Sequence, residues 1–264
     1  MTRTYISVTT PEDAAAQKCE TAAYLAGGTE INRLNSNVEA QTLISMKKLQ
    51  ELKVVEDLDD YVAIGALCTF QELIENELIP DYLRKALLFM GSRQKRNMAT
   101  IGGNIACLRD DSYLLATLVA ADAELFVLEN LMIRRIPIRD YIKREPNDDA
   151  LILTINLKRN FDFVDSKRYA NTVESLSTLV VSMVKDAGQI SIAAAIKTAG
   201  IYELPELAAA AMKPDVTEEE LIGIAYDLDL PIEDDFRGSA KYKRYLLGVT
   251  VKCMLEAAAK GGVR

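Results

Sequence analysis

Arg96-Asn97-Met98-Ala99-Thr100-Ile101-Gly102-Gly103-Asn104-Ile105 is the stretch on which the fold turns. Its centre is an apolar residue, two adjacent glycines and a small polar residue, and Leu25-Ala26-Gly27-Gly28-Thr29-Glu30 has the same arrangement near the N-terminus. Paired glycines allow positive φ and let a ligand approach the main chain closely. Successive N–H groups then converge on an anion, as in a nest or at a helix N-terminus. A diphosphate is the natural guest. Glu30 should point away from it, because a carboxylate beside phosphate is repulsive, and should receive a helix N-terminus or a ribose hydroxyl. Neither segment reads GxGxxG or GxxxxGK[ST], so the common dinucleotide and P-loop patterns are excluded. For a Gly-Gly taken alone, a tight turn is the competing reading.

Outward from these segments the chain alternates helix and strand. Thr10 or Thr9 caps a helix running from Pro11 to about Glu20. Ala22–Ala26 and Gln41–Ser45 read as strands, Thr29–Asn35 as a short helix or turn, and Lys47–Leu52 as a turn of helix. From Lys53 the pattern changes. Lys53–Glu56, Tyr61–Gly65, Ala123–Leu128, Met132–Pro137 and Leu151–Leu157 read as strands. Phe70–Asn76, Asp81–Met90 and Tyr113–Ala121 read as helices. Arg144–Asp149 is a polar loop, and Asn160–Ser166 is a second polar break. Beyond it, Glu174–Asp186 fits either strand or helix, and Gln189–Lys197 fits a strand. Glu203–Met212, Thr217–Leu228 (with a Thr217-x-x-Glu220 capping box) and Ser239–Lys260 (closed by Gly261-Gly262) fit helices. The mixture predicts an α+β protein of two unequal regions with a boundary near residue 160.

Composition narrows the chemistry. The 264 residues carry 31 Lys and Arg against 39 Asp and Glu, a net charge of −8, with no histidine and no tryptophan. Ser-His-Asp and Cys-His catalysis, His-ligated metals and covalent flavinyl-histidine are therefore excluded. The acidic balance argues against broad nucleic-acid binding. Cys19, Cys68, Cys107 and Cys253 are too widely spaced for a zinc ribbon or an iron–sulfur run, and read as small, buried or half-buried thiols of a reduced compartment. Met1–Pro11 is polar, unlike a signal peptide, and the longest apolar run, such as Leu114–Ala121, is far short of a membrane span. A soluble, cytoplasmic protein is expected.

Four motifs carry a family resemblance. Ala26-Gly27-Gly28-Thr29-Glu30 resembles the AGGT[DE] loop of the FAD-binding medium subunits of molybdenum hydroxylases, the xanthine dehydrogenase-like and carbon monoxide dehydrogenase-like enzymes. Ile64-Gly65-Ala66-Leu67-Cys68-Thr69 is similar to their IGAxxT segment. Arg96–Ile105 is similar to RNxATIGGNI nearly letter for letter. Asp235-Phe236-Arg237-Gly238-Ser239-Ala240-Lys241-Tyr242, followed by Arg244, resembles the DxRGSAxYR entry to the last helix. The four occur in family order.

The resemblance implies a two-part FAD-binding domain of the vanillyl-alcohol-oxidase (PCMH) type over residues 1–160, with subdomains of about 1–52 and 53–160. A smaller C-terminal α+β domain, an antiparallel sheet with helices, would occupy 161–264. It implies non-covalent FAD held by Tyr24, Leu25, Ala26, Gly27, Gly28, Thr29, Glu30 and Ile31. A second diphosphate loop would be Thr100, Ile101, Gly102, Gly103 and Asn104, with Met90, Asp111, Ile152 and Lys167 as further contacts. The family acid falls on Asp110 or Asp111, and Asp111 needs no gap. Ordinary structural roles compete: a helix cap for Asp111, core for Met90 and Ile152, a solvated loop for Lys167. Asp235 and Arg237 suit orientation of the last helix. Arg93, Lys95 and Arg96 suit a solvated face, a partner subunit or a phosphate-bearing substrate.

The implied function is electron transfer: from iron–sulfur clusters to FAD and on to NAD or another acceptor. Molybdopterin and [2Fe-2S] clusters would sit on partner chains, a large and a small subunit. Two other readings compete, a stand-alone FAD-dependent reductase or oxidase and a cofactor-free assembly module that keeps the fold.

Overall fold

The computed structural model describes residues 3–33, 36, 38–146 and 149–261. In chain order the elements are β1 (Thr4–Ser7), α1 (Pro11–Gln17), β2 (Ala22–Leu25), β3 (Thr42–Ser45), a 3-10 turn (Gln50–Lys53), β4 (Val55–Leu58) and β5 (Tyr61–Gly65). Then come α2 (Phe70–Glu75), α3 (Asp81–Leu88), α4 (Arg93–Arg96), α5 (Ile101–Ala106), α6 (Leu115–Ala120), β6 (Glu124–Glu129), β7 (Met132–Pro137), α7 (Ile138–Tyr141) and β8 (Leu151–Lys158). The rest is β9 (Phe163–Tyr169), β10 (Leu179–Asp186), β11 (Gln189–Ile196), β12 (Gly200–Glu203), α8 (Pro205–Ala211), α9 (Glu218–Asp227) and α10 (Ala240–Ala259).

The chain divides into two compact units. One comprises Met1–Pro80, Ser92–Leu108 and Asp122–Arg159; the other comprises Asp81–Gly91, Arg109–Ala121 and Asn160–Arg264. The sequence expectation of contiguous regions differs here, because 81–91 and 109–121 pack with the second unit.

In the first unit, β1, β3 and β2 form a parallel sheet in that order, with Tyr24 opposite Ile44 and Ile6 opposite the same residue on the other side. The polar N-terminus gave no sign of β1. Its burial pattern is mostly exposed, so it is an edge strand with little apolar signature. A five-stranded antiparallel sheet, β4-β5-β8-β6-β7, completes the unit. Val8, Ala14, Ile44, Met46, Leu49, Leu52, Leu67 and Leu151 share one apolar core. Thr10 caps α1 by accepting the Asp13 N–H.

In the second unit the antiparallel sheet runs β12-β11-β10-β9. The β10–β11 hairpin turns at Ala187 and Gly188, both with positive φ, as a two-residue primed turn requires. The ambiguity over Glu174–Asp186 has a physical cause. Leu179, Val181 and Met183 face the core that also contains residues of α8, α9 and α10, while Val180 packs with Ala116 of α6. A strand covered on both faces reads as a continuous apolar run rather than as alternation. On the α6 side the hydroxyls of Thr117, Ser166 and Ser182 bond one another at 2.8–3.1 Å, so these buried polar groups are paired among themselves. The expected break at Asn160–Ser166 is shorter than the sequence suggested, because β9 begins at Phe163. Lys167 lies on β9, opposite Val181, and not in a loop.

The last helix is oriented by the motif that precedes it. Ser239 caps α10 through the Tyr242 N–H, and Asp235 Oδ1 accepts from the N–H groups of Arg237 and Gly238. Lys243 is fully buried; its ammonium donates to the carbonyls of Lys197 and Glu233 and lies 3.2 Å from Asp235. Burial opposes ionisation of Asp235, but the hydrogen bond from Lys243 and the Arg237 N–H outweigh it and hold the carboxyl below its ordinary range. Arg244 donates to the carbonyls of Ala225 and Leu228, the open C-terminal end of α9. Gly261 closes α10 with φ +92°; Gly262 lies outside the described residues.

The thiols are unlike one another. Cys19 is exposed, which corrects the expectation that all four are at least half-buried. Its hydrogen bond with Thr21 lowers its pKa, whereas burial pushes the Cys68 thiol up to about 11. Iodoacetamide near neutral pH should therefore alkylate Cys19 well before Cys68, as peptide mass mapping over time would record. Lys243→Met should lower the unfolding free energy by about 1–3 kcal/mol, because the carbonyls of Lys197 and Glu233 lose a buried donor while Asp235 keeps Arg237 at 3.5 Å; urea denaturation of the full chain measures it.

Candidate functional site

Strand β2 ends at Leu25, whose carbonyl takes the Met46 N–H at 3.0 Å, so the chain leaves the parallel sheet beside the end of β3. The turn that follows admits no side chain at its first glycine. A Cβ on Gly27 would lie 1.6 Å from the Met98 carbonyl oxygen. Gly28 has φ +71°, a conformation that favours glycine. Asn32 N–H then closes on Gly28 O at 3.0 Å, and 29–33 is a turn rather than a helix; Leu34 and Asn35 lie outside the described residues. Among the described residues, the N–H groups of Gly27, Gly28 and Thr29 have no protein acceptor. Three successive amides at the carboxyl edge of a parallel sheet are available to a ligand.

The second glycine pair works differently. It is the first turn of α5, with Thr100 as cap and its hydroxyl accepting the Gly103 N–H at 3.2 Å. Ile101 N–H donates to Cys68 O, Gly102 N–H to Ala66 O and Asn104 N–H to Thr100 O, all at 2.9–3.0 Å. These amides are engaged inside the protein, which corrects the expectation of an anion nest at Gly102-Gly103. Close packing explains the glycines instead. A Cβ on Gly102 would lie 2.6 Å from the Ala66 Cβ, and one on Gly103 would face the Ala26 Cβ at 3.9 Å. The two glycine segments are thus neighbours, one supplying free amides and the other a flat backbone wall.

They line an open cleft of about 870 Å3 within the first unit. Of the sequence-derived residues, Tyr24, Ala26, Gly27, Gly28, Thr29, Glu30 and Ile31 line it from the first segment. Thr100, Gly102 and Gly103 line it from the second, and Ile152 from β8. Leu25, Ile101 and Asn104 belong to the same segments but are not among the lining residues. Met90, Asp111 and Lys167 belong to the second unit. There Asp111 is buried and held by Arg109 through two bonds of 2.6–2.7 Å, while Asp110 pairs with Lys197. Neither caps α6, whose N-cap is Leu114 without a side-chain cap; the Ser112 hydroxyl accepts the Leu114 and Leu115 N–H groups just ahead of it. The basic cluster is partly engaged on α2, with Arg93 on Glu75 and Arg96 on Gln71.

The structure adds lining residues that the sequence reading passed over: Lys18, Ala23, Val38, Met46, Ala106, Cys107, Ala150 and Leu151, together with Ala66 and Leu67. The last two sit in the Ile64–Thr69 motif, which was the available signal. Lys18 had none. Glu30, expected to meet a helix N-terminus or a ribose, has its Oε1 held by Arg33 at 3.1–3.2 Å. The walls are mainly apolar, and the polar equipment is three amides, two threonine hydroxyls and a few charged or phenolic side chains. That set suits an elongated anion with planar apolar ends.

These features define an α+β protein with a mainly apolar cleft edged by unengaged main-chain amides. The chain belongs to the family described as the FAD binding domain in molybdopterin dehydrogenase, whose model matches residues 1–157. It is an FAD-binding subunit of the molybdenum hydroxylase type. The uncharacterized protein YgfM of Escherichia coli (strain K12) is 30% identical over 236 residues, 87% of this chain and 85% of that protein. The nicotinate dehydrogenase FAD-subunit of Eubacterium barkeri is 37% identical over 89 residues, 32% of this chain and 30% of its own. A chain of carbon monoxide dehydrogenase from Hydrogenophaga pseudoflava superposes with a TM-score of 0.86 at 22% identity, over 100% of this chain and 99% of that one. That likeness establishes the fold, and it is the mixed fold that the motifs implied.

FAD fits the cleft on two counts: the unengaged amides of 27–29 suit a diphosphate, and the mainly apolar walls suit its planar ends. Gly27 has no room for a Cβ beside the Met98 carbonyl. Gly27→Ala should therefore displace Met98 or the turn itself. The expected result is soluble protein with less than a tenth of the wild-type flavin, read by absorbance and circular dichroism, and a loss of about 1–3 kcal/mol from overpacking.

Proposed function

We propose that this chain is the electron-transferring flavoprotein subunit of a molybdenum hydroxylase-type oxidoreductase. Electrons would reach it from iron–sulfur clusters on a small partner subunit, fed by a molybdopterin centre on a large one, and would leave to NAD or another acceptor. The observation that carries this reading is the row of three free amides beside a glycine that tolerates no Cβ, at the carboxyl edge of the parallel sheet.

When bound, FAD supplies the redox chemistry, and the protein supplies binding, orientation and electrostatics. Gly27, Gly28 and Thr29 would hold the diphosphate through main-chain N–H groups. Thr29 and Thr100 offer hydroxyls beside it. Ile31, Met46, Leu67 and Ile152 exclude water from the apolar parts of the cofactor. No residue of the cleft is assigned a catalytic proton transfer, which suits a chain without histidine. Its cysteines are too scattered for clusters of its own, so we assign those to a partner. The free thiols suit the reducing cytoplasm. The named relatives differ in substrate, nicotinate for one and carbon monoxide for another. We therefore assign substrate choice to the molybdenum-bearing partner and not to this cleft.

The full chain purified from its natural host should be yellow, release FAD on acid treatment, and bring down an iron–sulfur chain and a molybdopterin chain. Colourless protein that takes up no added FAD would overturn the reading. Yellow protein that reduces an acceptor with NADH alone and has no partner would favour a stand-alone reductase.

A further inference from the structure

The cleft contains a cation that neither the motifs nor the family match singles out. Lys18 lies just after α1, and its side chain is only 9% exposed although it ends in an ammonium. Among the described residues lining the cleft it is the one cationic side chain. Its Nζ lies 2.8 Å from Asp149 Oδ1 and 5.9 Å from the centre of the Tyr24 ring. The partner is placed very differently. The Asp149 side chain is 80% exposed, and Asp149 is also held by its main chain, because the Tyr24 hydroxyl donates to its carbonyl at 3.2 Å.

We propose that Lys18 is the ionic contact for the phosphates of the dinucleotide, and that Asp149 is the counter-ion it gives up when the anion enters. This rests on the FAD reading of the cleft. A diphosphate is a dianion, whereas the amides of 27–29 offer only partial charges, and the chain as a whole is acidic at −8. Among the described lining residues the other charged side chain, Glu30, is negative and lies against Arg33. The buried cation has to be neutralised in the ligand-free protein, and a carboxylate that already faces water does so with little loss on release. Tyr24 keeps the Asp149 backbone in place while its carboxylate swings out. Lys18 exchanges one anion for another without leaving the cleft wall.

Exchange makes the two members of one ion pair act with opposite signs. Lys18→Met should weaken binding about tenfold, the size of one charge-assisted hydrogen bond. Asp149→Asn, which removes the competing anion, should tighten it a few-fold, and Lys18→Arg should stay close to wild type. A pair that only braces the fold would weaken binding from both sides.

The experiment titrates the flavin-free full chain with FAD by fluorescence quenching, and with ADP and adenosine by calorimetry. Thermal unfolding of each ligand-free variant serves as the control for folding. The expected pattern is a tenfold loss for FAD and ADP in Lys18→Met, none for adenosine, and a gain for both anions in Asp149→Asn. Equal losses in Lys18→Met and Asp149→Asn would overturn the proposal. So would a Lys18→Met loss that is the same for adenosine as for ADP, or no loss at all. Wild-type protein that binds ADP in a Lys18-dependent way but ignores FAD would remove the flavin reading and leave the anion contact standing. Wild-type protein that binds neither would remove both.

Discussion

The binding unit depends on one close approach, the backbone of Gly27 against the carbonyl oxygen of Met98. At 1.6 Å from that oxygen a Cβ has no place. Because nothing separates the two backbones, the turn after β2 lies directly beside the segment that leads into α5. That segment is tied down by Ile101 and Gly102, whose amides bond Cys68 and Ala66 at the end of β5. The turn has no such ties. Its amides are therefore unengaged by the protein, and at the wall of an open cleft they are available to a ligand.

The same geometry explains how an acidic chain accommodates an anionic cofactor. Net charge describes the field far from the surface, where screening removes most of it. Inside the cleft, among the described residues, three main-chain N–H groups without a protein acceptor and one ammonium offer local positive potential. The acid of the lining is set beside an arginine, so its repulsion of a phosphate is reduced at source. Binding here is a matter of where a few groups point and not of the sum over the chain.

Much of this was legible in the sequence, and the gaps have physical reasons. Helices α1, α9 and α10 were readable because their caps at Thr10, Thr217 and Ser239 and an apolar stripe are local signals, whereas α5, capped by Thr100, read as a glycine loop. β1 was missed because an exposed edge strand needs no apolar alternation. β10 was ambiguous because both of its faces are covered. The first glycine loop and Ile152, assigned from motif resemblance, line the cleft. Lys18 and Asp149 were invisible because they are far apart in sequence and meet only across the folded cleft. Met90 and Asp111 were expected in the first region by chain position, yet the segments that carry them pack in the second unit. Order along the chain does not determine which core a segment joins.

The two Gly-Gly pairs carry this point further. By letter pattern they are alike: an apolar residue, two glycines, a small polar residue. In both, glycine is present because another backbone or side chain comes too close for a Cβ. What approaches Gly102 is the protein's own Ala66, and the amides that could have faced a ligand are consumed by that contact and by the Thr100 cap. What approaches Gly27 is also the protein, but on one side only, and the N–H groups that follow have no acceptor of their own. A glycine pair therefore reports close approach and nothing more. Whether it marks a ligand site is decided by where the neighbouring N–H groups point, and that depends on strands and caps dozens of residues away.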